Sequence, residues 1–296
     1  MRKIFIEELI LAAKKNKKII LIVNDLGYSV VEEFAKLFPK QFYNAGVAEQ
    51  NMMGIAAGMA LDGYKVFVYS IGNFPTFRCA EQIRNDIDYH NLPVTIVNVG
   101  SGVSYGNLGY SHHSIQDYSL MRSFPNMSIV SPGDEIEAKI CMKNILKKSQ
   151  PFYLRLSKSK NLKLHKNKKQ LKIGKWLSLI KNSGVKKTFL TTGNTLHLAK
   201  ELVIKKKYKN YSIFSMPIWG MKFKDMQKKE IKKWDEIIVL EDHIEDGGFG
   251  SWIKESINDT NIKTKIISKS LSKDIIGKVG SEKYLIDNFY LKDFGK

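Results

Sequence analysis

Cysteine is nearly absent from this chain of 296 residues, which has only Cys79 and Cys141. They lie far apart and outside any C-x-x-C spacing, which argues against a disulfide framework or a structural zinc site; buried thiols that pack as small hydrophobes are expected. Long hydrophobic runs are missing too. No apolar stretch approaches the roughly 20 residues that span a bilayer, so no membrane partner is expected. The start, MRKIFIEELILAAKKNKK, resembles a signal peptide only superficially. Glu7 and Glu8 interrupt it and no small-residue cleavage site follows. It reads as an amphipathic first helix, and the protein as cytoplasmic. Acidic residues are few, 29 against 48 basic ones, for a net charge of +19. That excess raises the question of nucleic acid. Yet the lysines fall in KKNKK, KKKYKN and KKEIKK with acids interspersed, and no zinc finger, basic zipper or RNA-binding aromatic motif is present. No nucleic-acid partner is expected; an acidic protein or a phosphorylated substrate suits the charge.

Hydrophobic residues make up 43% of the chain, enough for a substantial core. Apolar runs alternate with helical patterns. Strands are expected at 19–23, 65–70, 92–100, 127–130 and 151–156, with helices between them at 47–61, 78–89 and 134–148. The runs are short and apolar on both faces, the pattern of a parallel sheet covered by helices on both sides. The pattern lapses in SKSKNLKLHKNKKQLKIGK, where His165 is expected to be exposed. A second alternation then begins at KTFLTTG. The fold class is α/β with two domains, each a mainly parallel sheet flanked by helices: 1–158, a linker over 159–175, and 176–296.

Two segments carry candidate chemistry. In NAGVAEQNMMGIAAGMA, Glu49 opens a helix whose next turns contain Gly54, Ala56, Ala57, Gly58 and Ala60. Such small residues let a neighbouring backbone or partner chain approach closely. A carboxylate drawn from water there suits proton transfer; the alternative is a glutamate placed to favour the helix N-terminus. In YGNLGYSHH, 105–113, two histidines follow the strand LPVTIVNVG, where α/β proteins usually keep their chemistry. Neighbouring His112 and His113 lack clustered ligand partners, so no metal is assigned to them.

The whole chain resembles the C-terminal half of a transketolase, as in two-subunit transketolases, and the matching part of 1-deoxyxylulose-5-phosphate synthase. The residues that carry this are GVAEQNMMGIAAGMA, FPTFRCAEQIRNDIDYHNLPV, GYSHHSIQDYSLMRSFPNMSIVSPGDEIE and EDHIEDGGFGSWIKE, in the family's order. The resemblance implies the thiamine-diphosphate pyrimidine-binding fold followed by the transketolase C-terminal domain, with thiamine diphosphate as cofactor. It gives Glu49 the pyrimidine ring nitrogen, and Phe74 the stacking role on the pyrimidine, with Phe77 as competing candidate. It sets Asp25 near the cofactor at a subunit junction, though an ordinary helix N-cap explains Asp25 equally well. His112 keeps the histidine that faces the thiazolium and the substrate oxygen. His113 replaces a glutamine, with a substrate-facing or a structural role.

The family's Gly-Asp-Gly magnesium motif is lacking. Magnesium is therefore expected on a separate N-terminal, diphosphate-binding subunit, with active sites at the junction of an α2β2 heterotetramer. The acidic pair before the histidine is also gone, with Asn107 and Leu108 in its place. Gly100 stands where transketolases have a phosphate-contacting histidine, and Lys158 where an arginine is frequent. Together these imply transfer of a two-carbon ketol or acyl unit between carbonyl compounds, on a modified sugar rather than an ordinary pentose phosphate. The alternatives are the beta subunit of a 2-oxo acid dehydrogenase, or a non-catalytic homologue acting as a binding or scaffold protein.

Overall fold

A computed structural model describes residues 1–158, 163–166, 172–290 and 294. The chain opens with α1 (Arg2–Ala13), β1 (Ile19–Val23), α2 (Glu32–Leu37), β2 (Phe42–Asn44), α3 (Glu49–Leu61) and β3 (Lys65–Ile71). A short α4 (Ala80–Gln82) widens into a π-helical stretch over Ile83–Asp88. Then come β4 (Val94–Val99), α5 (Asp117–Met121), β5 (Ser128–Val130), α6 (Glu135–Lys147) and β6 (Phe152–Leu156). The second half runs β7 (Leu177–Ile180), β8 (Lys187–Thr191), α7 (Thr195–Leu202), β9 (Ser212–Ser215), β10 (Ile218–Trp219) and α8 (Gln227–Ile231). It ends with β11 (Glu236–Ile244), α9 (Phe249–Glu255), β12 (Lys265–Leu271) and α10 (Glu282–Phe289).

Two sheets organise these elements. The first has seven strands in the order β10-β5-β6-β4-β3-β1-β2, the second five in the order β12-β11-β8-β9-β7. Each is parallel except at one edge, where β10 runs against β5 and β7 against β9. Side chains alternate across a strand. In β1, Ile20 and Ile22 join the core under α3, while Ile19, Leu21 and Val23 join the core under α1 and α6. Val66 and Val68 of β3 go with the first set, Phe67 and Tyr69 with the second. Burial on both faces is what helices on both sides of a parallel sheet produce.

The two halves are not self-contained. β10 comes from the second half, yet it completes the first sheet, and Trp219 is fully buried against Tyr118, Phe249 and Trp252. Much of the lysine-rich stretch lies outside the described residues. His165, which is described, is not exposed as expected: it is buried, with Nδ1 3.0 Å from Asp134 Oδ2. That contact, and not the surrounding lysines, decides its environment. Both cysteines are buried free thiols.

Candidate active site

The loops after β1, β3 and β4 gather at the carboxyl ends of their strands, where open parallel sheets place ligands. Glu49 is the first residue of α3 and sits in its first turn, which suits the positive end of the helix dipole. Its side chain is buried, and Oε1 accepts a hydrogen bond from Arg78 Nη1 at 2.9 Å. Oε2 accepts none among the described residues. The Arg78 guanidinium lies 4.4 Å over the ring of half-buried Phe74, and the edge of Phe74 meets His112 with ring centroids 5.1 Å apart. Glu49, Arg78, Phe74 and His112 thus form one row from three separate segments. Phe77 is exposed and makes no ring contact among the described residues, so Phe74 is the aromatic that belongs to the row.

A cleft of about 500 Å³ opens on Glu49, lined by Val47, Ala48, Gln50, Asn51 and Arg78. Beside it α3 shows two faces. Ala56, Ala57 and Ala60 are buried against the sheet. Gly54 and Gly58 look into open space, with nothing within 4 Å of a Cβ placed on either. Val47, 76% exposed, and Leu61, 66% exposed, extend this apolar surface.

Asp25 is exposed, in a left-handed conformation (φ 48°). It is not a helix N-cap, because α2 begins after Val31. Its Oδ1 accepts from Asn44 Nδ2 at 3.0 Å and its N–H donates to Asn44 Oδ1 at 2.9 Å, which ties the β1 loop to the chain entering Glu49.

In the loop after β4, His112 is half-buried, and burial lowers its pKa, favouring the neutral imidazole. Its Nδ1 lies 3.0 Å from Ser111 Oγ, a hydroxyl able to donate to it. His113 differs from His112 in having no solvent-exposed surface. It is fully buried, with Nε2 3.4 Å from the Gly106 carbonyl, Nδ1 unpartnered and its pKa lowered chiefly by burial. Asn73 Nδ2 donates to its carbonyl at 2.8 Å, fixing the turn. Leu108 is 54% exposed at the loop surface. Lys158 Nζ lies 4.8 Å over the ring of Tyr105, whose centroid is 6.4 Å from that of His112. Tyr105 also accounts for Gly100: a Cβ there would sit 2.2 Å from its ring, and φ is 95°.

Behind the loop lies a polar network whose role the sequence does not announce. Arg155 of β6 is fully buried. Its Nε donates to Asp117 Oδ2 at 2.7 Å, Nη1 to Asp242 Oδ1 at 2.5 Å, and Nη2 to the Ser114 carbonyl at 2.5 Å. Tyr153 OH donates to the same Asp117 oxygen at 2.6 Å, and Asn98 to Ser114 Oγ at 2.9 Å. Asp242 belongs to β11, so the network ties the histidine loop to the second sheet. A lone arginine inside the apolar run PFYLRL is the signal that could have exposed it. Elsewhere His243 is buried and stacked on Tyr118, a structural role.

The glycines of EDGGFG have a physical cause as well. Buried Glu241 accepts from the N–H groups of Phe249 and Gly250, at 2.5 and 3.0 Å, at the start of α9. A Cβ on Gly248 would lie 2.2 Å from Glu241 Oε2, and one on Gly250 2.9 Å from Oε1. Burial, opposed by those two hydrogen bonds, pushes the Glu241 carboxyl up to about 8.

Residues 1–162 match the family described as transketolase, pyrimidine binding domain. The chain is 31% identical to one of the subunits of the apulose-4-phosphate transketolase of Phocaeicola vulgatus, over 90% of this chain and 86% of that one. It is 32% identical to a protein of Methanocaldococcus jannaschii named for a transketolase C-terminal section, over 98% and 92% of the two. Among solved structures, a split-gene transketolase described as an inactive β4 tetramer superposes with a TM-score of 0.81 at 25% identity, covering 97% of this chain and 92% of that one.

Proposed function

This chain belongs to the transketolase family, and we propose that it is the pyrimidine-binding, C-terminal subunit of a thiamine-diphosphate enzyme completed by a second subunit. The observation that carries this is Glu49: a buried carboxylate with one oxygen held by Arg78 and the other without a partner among the described residues, lining an open cleft. That oxygen fits a ring nitrogen. Glu49 would hold a proton between Oε2 and the pyrimidine nitrogen, and Phe74 would stack on the ring and orient it. When bound, thiamine diphosphate supplies the electron sink for two-carbon transfer. His112, neutral with Nδ1 engaged by Ser111, directs Nε2–H toward a substrate oxygen. Lys158 binds a substrate phosphate as a point charge.

No Gly-Asp-Gly sequence occurs in the chain. We assign magnesium and the diphosphate to the partner subunit, seated on the face of Gly54, Gly58, Val47 and Leu61 in an α2β2 assembly. The relative that forms an inactive β4 tetramer supports a requirement for such a partner. The functional division is placed at residues 1–158, carrying cofactor and substrate contacts, and 176–296, bracing the loop. The substrate class assigned is a modified sugar phosphate, because Leu108 offers a sugar hydroxyl no acceptor. The name of the Phocaeicola vulgatus relative, which specifies apulose 4-phosphate, supports it.

The test is calorimetric titration of thiamine diphosphate with magnesium into the chain alone, the partner alone, and the complex. Tight binding by the complex only is expected. Tight magnesium-dependent binding by the chain alone would overturn the division of labour.

A further inference from the structure

Asp134, Glu137 and His165 take no part in the site described above. Asp134 caps α6, its Oδ1 accepting from Glu137 N–H at 2.8 Å. Glu137 folds back, its Oε2 accepting from Gly133 N–H at 2.7 Å. Together they close a reciprocal capping arrangement. The other Asp134 oxygen, Oδ2, accepts from the backbone N–H groups of Leu164 and His165 at 3.0 and 2.8 Å. Those bonds deliver the His165 imidazole, with Nδ1 3.0 Å from Asp134 Oδ2 and 3.9 Å from Glu137 Oε1.

Capping explains two of the carboxylate oxygens and tethering a third. It leaves Glu137 Oε1, on a fully buried residue, without a well-formed hydrogen bond among the described residues; the Ser215 hydroxyl, itself unpartnered there, also bears on this carboxyl. Two buried carboxylates here face a single imidazole; the nearby Lys163 pairs instead with Glu135. A buried, unpaired carboxylate oxygen is costly unless the group takes up a proton, toward which burial moves Glu137, or a cation meets it. One ligand atom from each of the three residues lies within 4.8 Å of the others.

We propose that Asp134, Glu137 and His165 form a structural binding site for a zinc-class divalent cation. One imidazole nitrogen with two carboxylate oxygens suits a borderline metal; calcium and magnesium favour larger all-oxygen sets. Tetrahedral zinc bonds to nitrogen and oxygen imply ligand atoms roughly 3.3 Å apart, which the 3.0 and 3.9 Å separations bracket. Backbone N–H groups already fix the carboxylates, as the outer partners of metal ligands do. On binding, the imidazole would present the Nδ1 lone pair to the metal as the neutral ring with its proton on Nε2, and the Nδ1 hydrogen bond to Asp134 would give way to bonds from both groups to the metal.

The position gives the metal something to hold. Gly133 packs against the Gly193 carbonyl and Leu196, and Gly193 N–H donates to Ser131 O at 2.9 Å. A cation there clips the segment 163–166 to α6 where the two halves meet.

The full chain, stripped with EDTA, would be titrated with zinc chloride and separately with cobalt chloride. Bound metal, visible cobalt absorption and the thermal midpoint would be read. One equivalent of zinc, a tetrahedral cobalt spectrum and a raised midpoint are expected. Glu137→Gln, which keeps an acceptor for Gly133, and His165→Ala should each weaken zinc at least ~10-fold. Exposed His90→Ala should leave it unchanged. Absence of stoichiometric zinc and of the cobalt spectrum in the unaltered chain would overturn the proposal whatever the variants do. So would unchanged zinc affinity in both ligand variants.

Discussion

Glu49 and Asp117 are both buried carboxylates paired with an arginine, yet their arginines differ. Arg78, the partner of Glu49, has a side chain 51% exposed and stands at the edge of a cleft. Arg155, the partner of Asp117, is wholly enclosed and also spends donors on Asp242 and Ser114. The donors of Arg155 all meet acceptors within this chain, although Asp117 Oδ1 has no partner among the described residues. The Glu49 row instead stands open to a cleft, with a carboxylate oxygen, a ring face and an apolar helix surface left for something else to cover. On the proposed function, the closed region holds the loop and the open one would receive the cofactor and the partner.

The largest expected effect comes from breaking the open region. With the partner subunit present, Glu49→Ala should lower two-carbon transfer by ~10²–10⁴-fold, the range for loss of a proton-transfer group. The stability of the isolated chain should change by less than about 1 kcal/mol, because a half-exposed ion pair contributes little. Paired rate and urea-unfolding measurements read both halves; retained transfer, or a large stability loss, would collapse the distinction. Arg155→Met should do the reverse. Leaving Asp117 and Asp242 buried without their cation should cost about 3–5 kcal/mol, seen as a lower urea midpoint. An unshifted midpoint would mean the network does not brace the molecule.

Titration sharpens the contrast. Glu241 is pushed up to about 8 by burial from an ordinary 4.5, so the folded chain keeps a proton that the unfolded chain gives up. Stability from this group is therefore present below 4.5 and lost as pH rises toward 8. Buried His113 and His243 have lowered pKa values, so their contribution is present above 6.5 and lost as pH falls below it. Between 6.5 and 8 the slope belongs mainly to Glu241 among these three. Glu241→Gln should flatten it, an effect on the order of a few kcal/mol across the window. An identical slope in the variant would assign the titration elsewhere.

Parts of this were legible in the sequence for identifiable reasons. The parallel strands announce themselves because burial on both faces leaves unbroken apolar runs such as IILIV. Glu49 stands out as an acid opening a helix of small residues. β10 could not be read, since two residues show no periodicity and its partner β5 lies far back in the sequence. His165 was hidden by the lysines around it, although its partner Asp134 stands 31 positions earlier. Arg155 is a charge in an apolar strand, and only folding brings Asp117 and Asp242, 38 and 87 positions away, onto it. The Gly100–Tyr105 pair was half legible. The missing histidine was visible, but the ring that fills its space was not. Gly100→Ala should accordingly cost ~1–3 kcal/mol through overpacking, measurable by denaturant unfolding. Tyr105→Ala in the same chain should recover the steric part and leave the backbone strain at φ 95°.

The smallest effect on stability, and the most selective on function, is expected at Leu108. With 54% of its surface exposed in the loop, Leu108→Asp should change stability by less than about 0.5 kcal/mol. What it changes is the partner offered to a sugar hydroxyl, where a missing acceptor costs ~1–3 kcal/mol. In the assembled enzyme the variant should shift kcat/KM toward ordinary pentose phosphates by roughly 5–100-fold relative to a modified sugar phosphate. Because Leu108 lies outside both the Glu49 row and the Arg155 network, neither cofactor binding nor the urea midpoint should move with it. A change in cofactor affinity would place Leu108 with the open region, and a change in the midpoint would place it with the closed one. Unchanged selectivity would remove Leu108 from substrate choice.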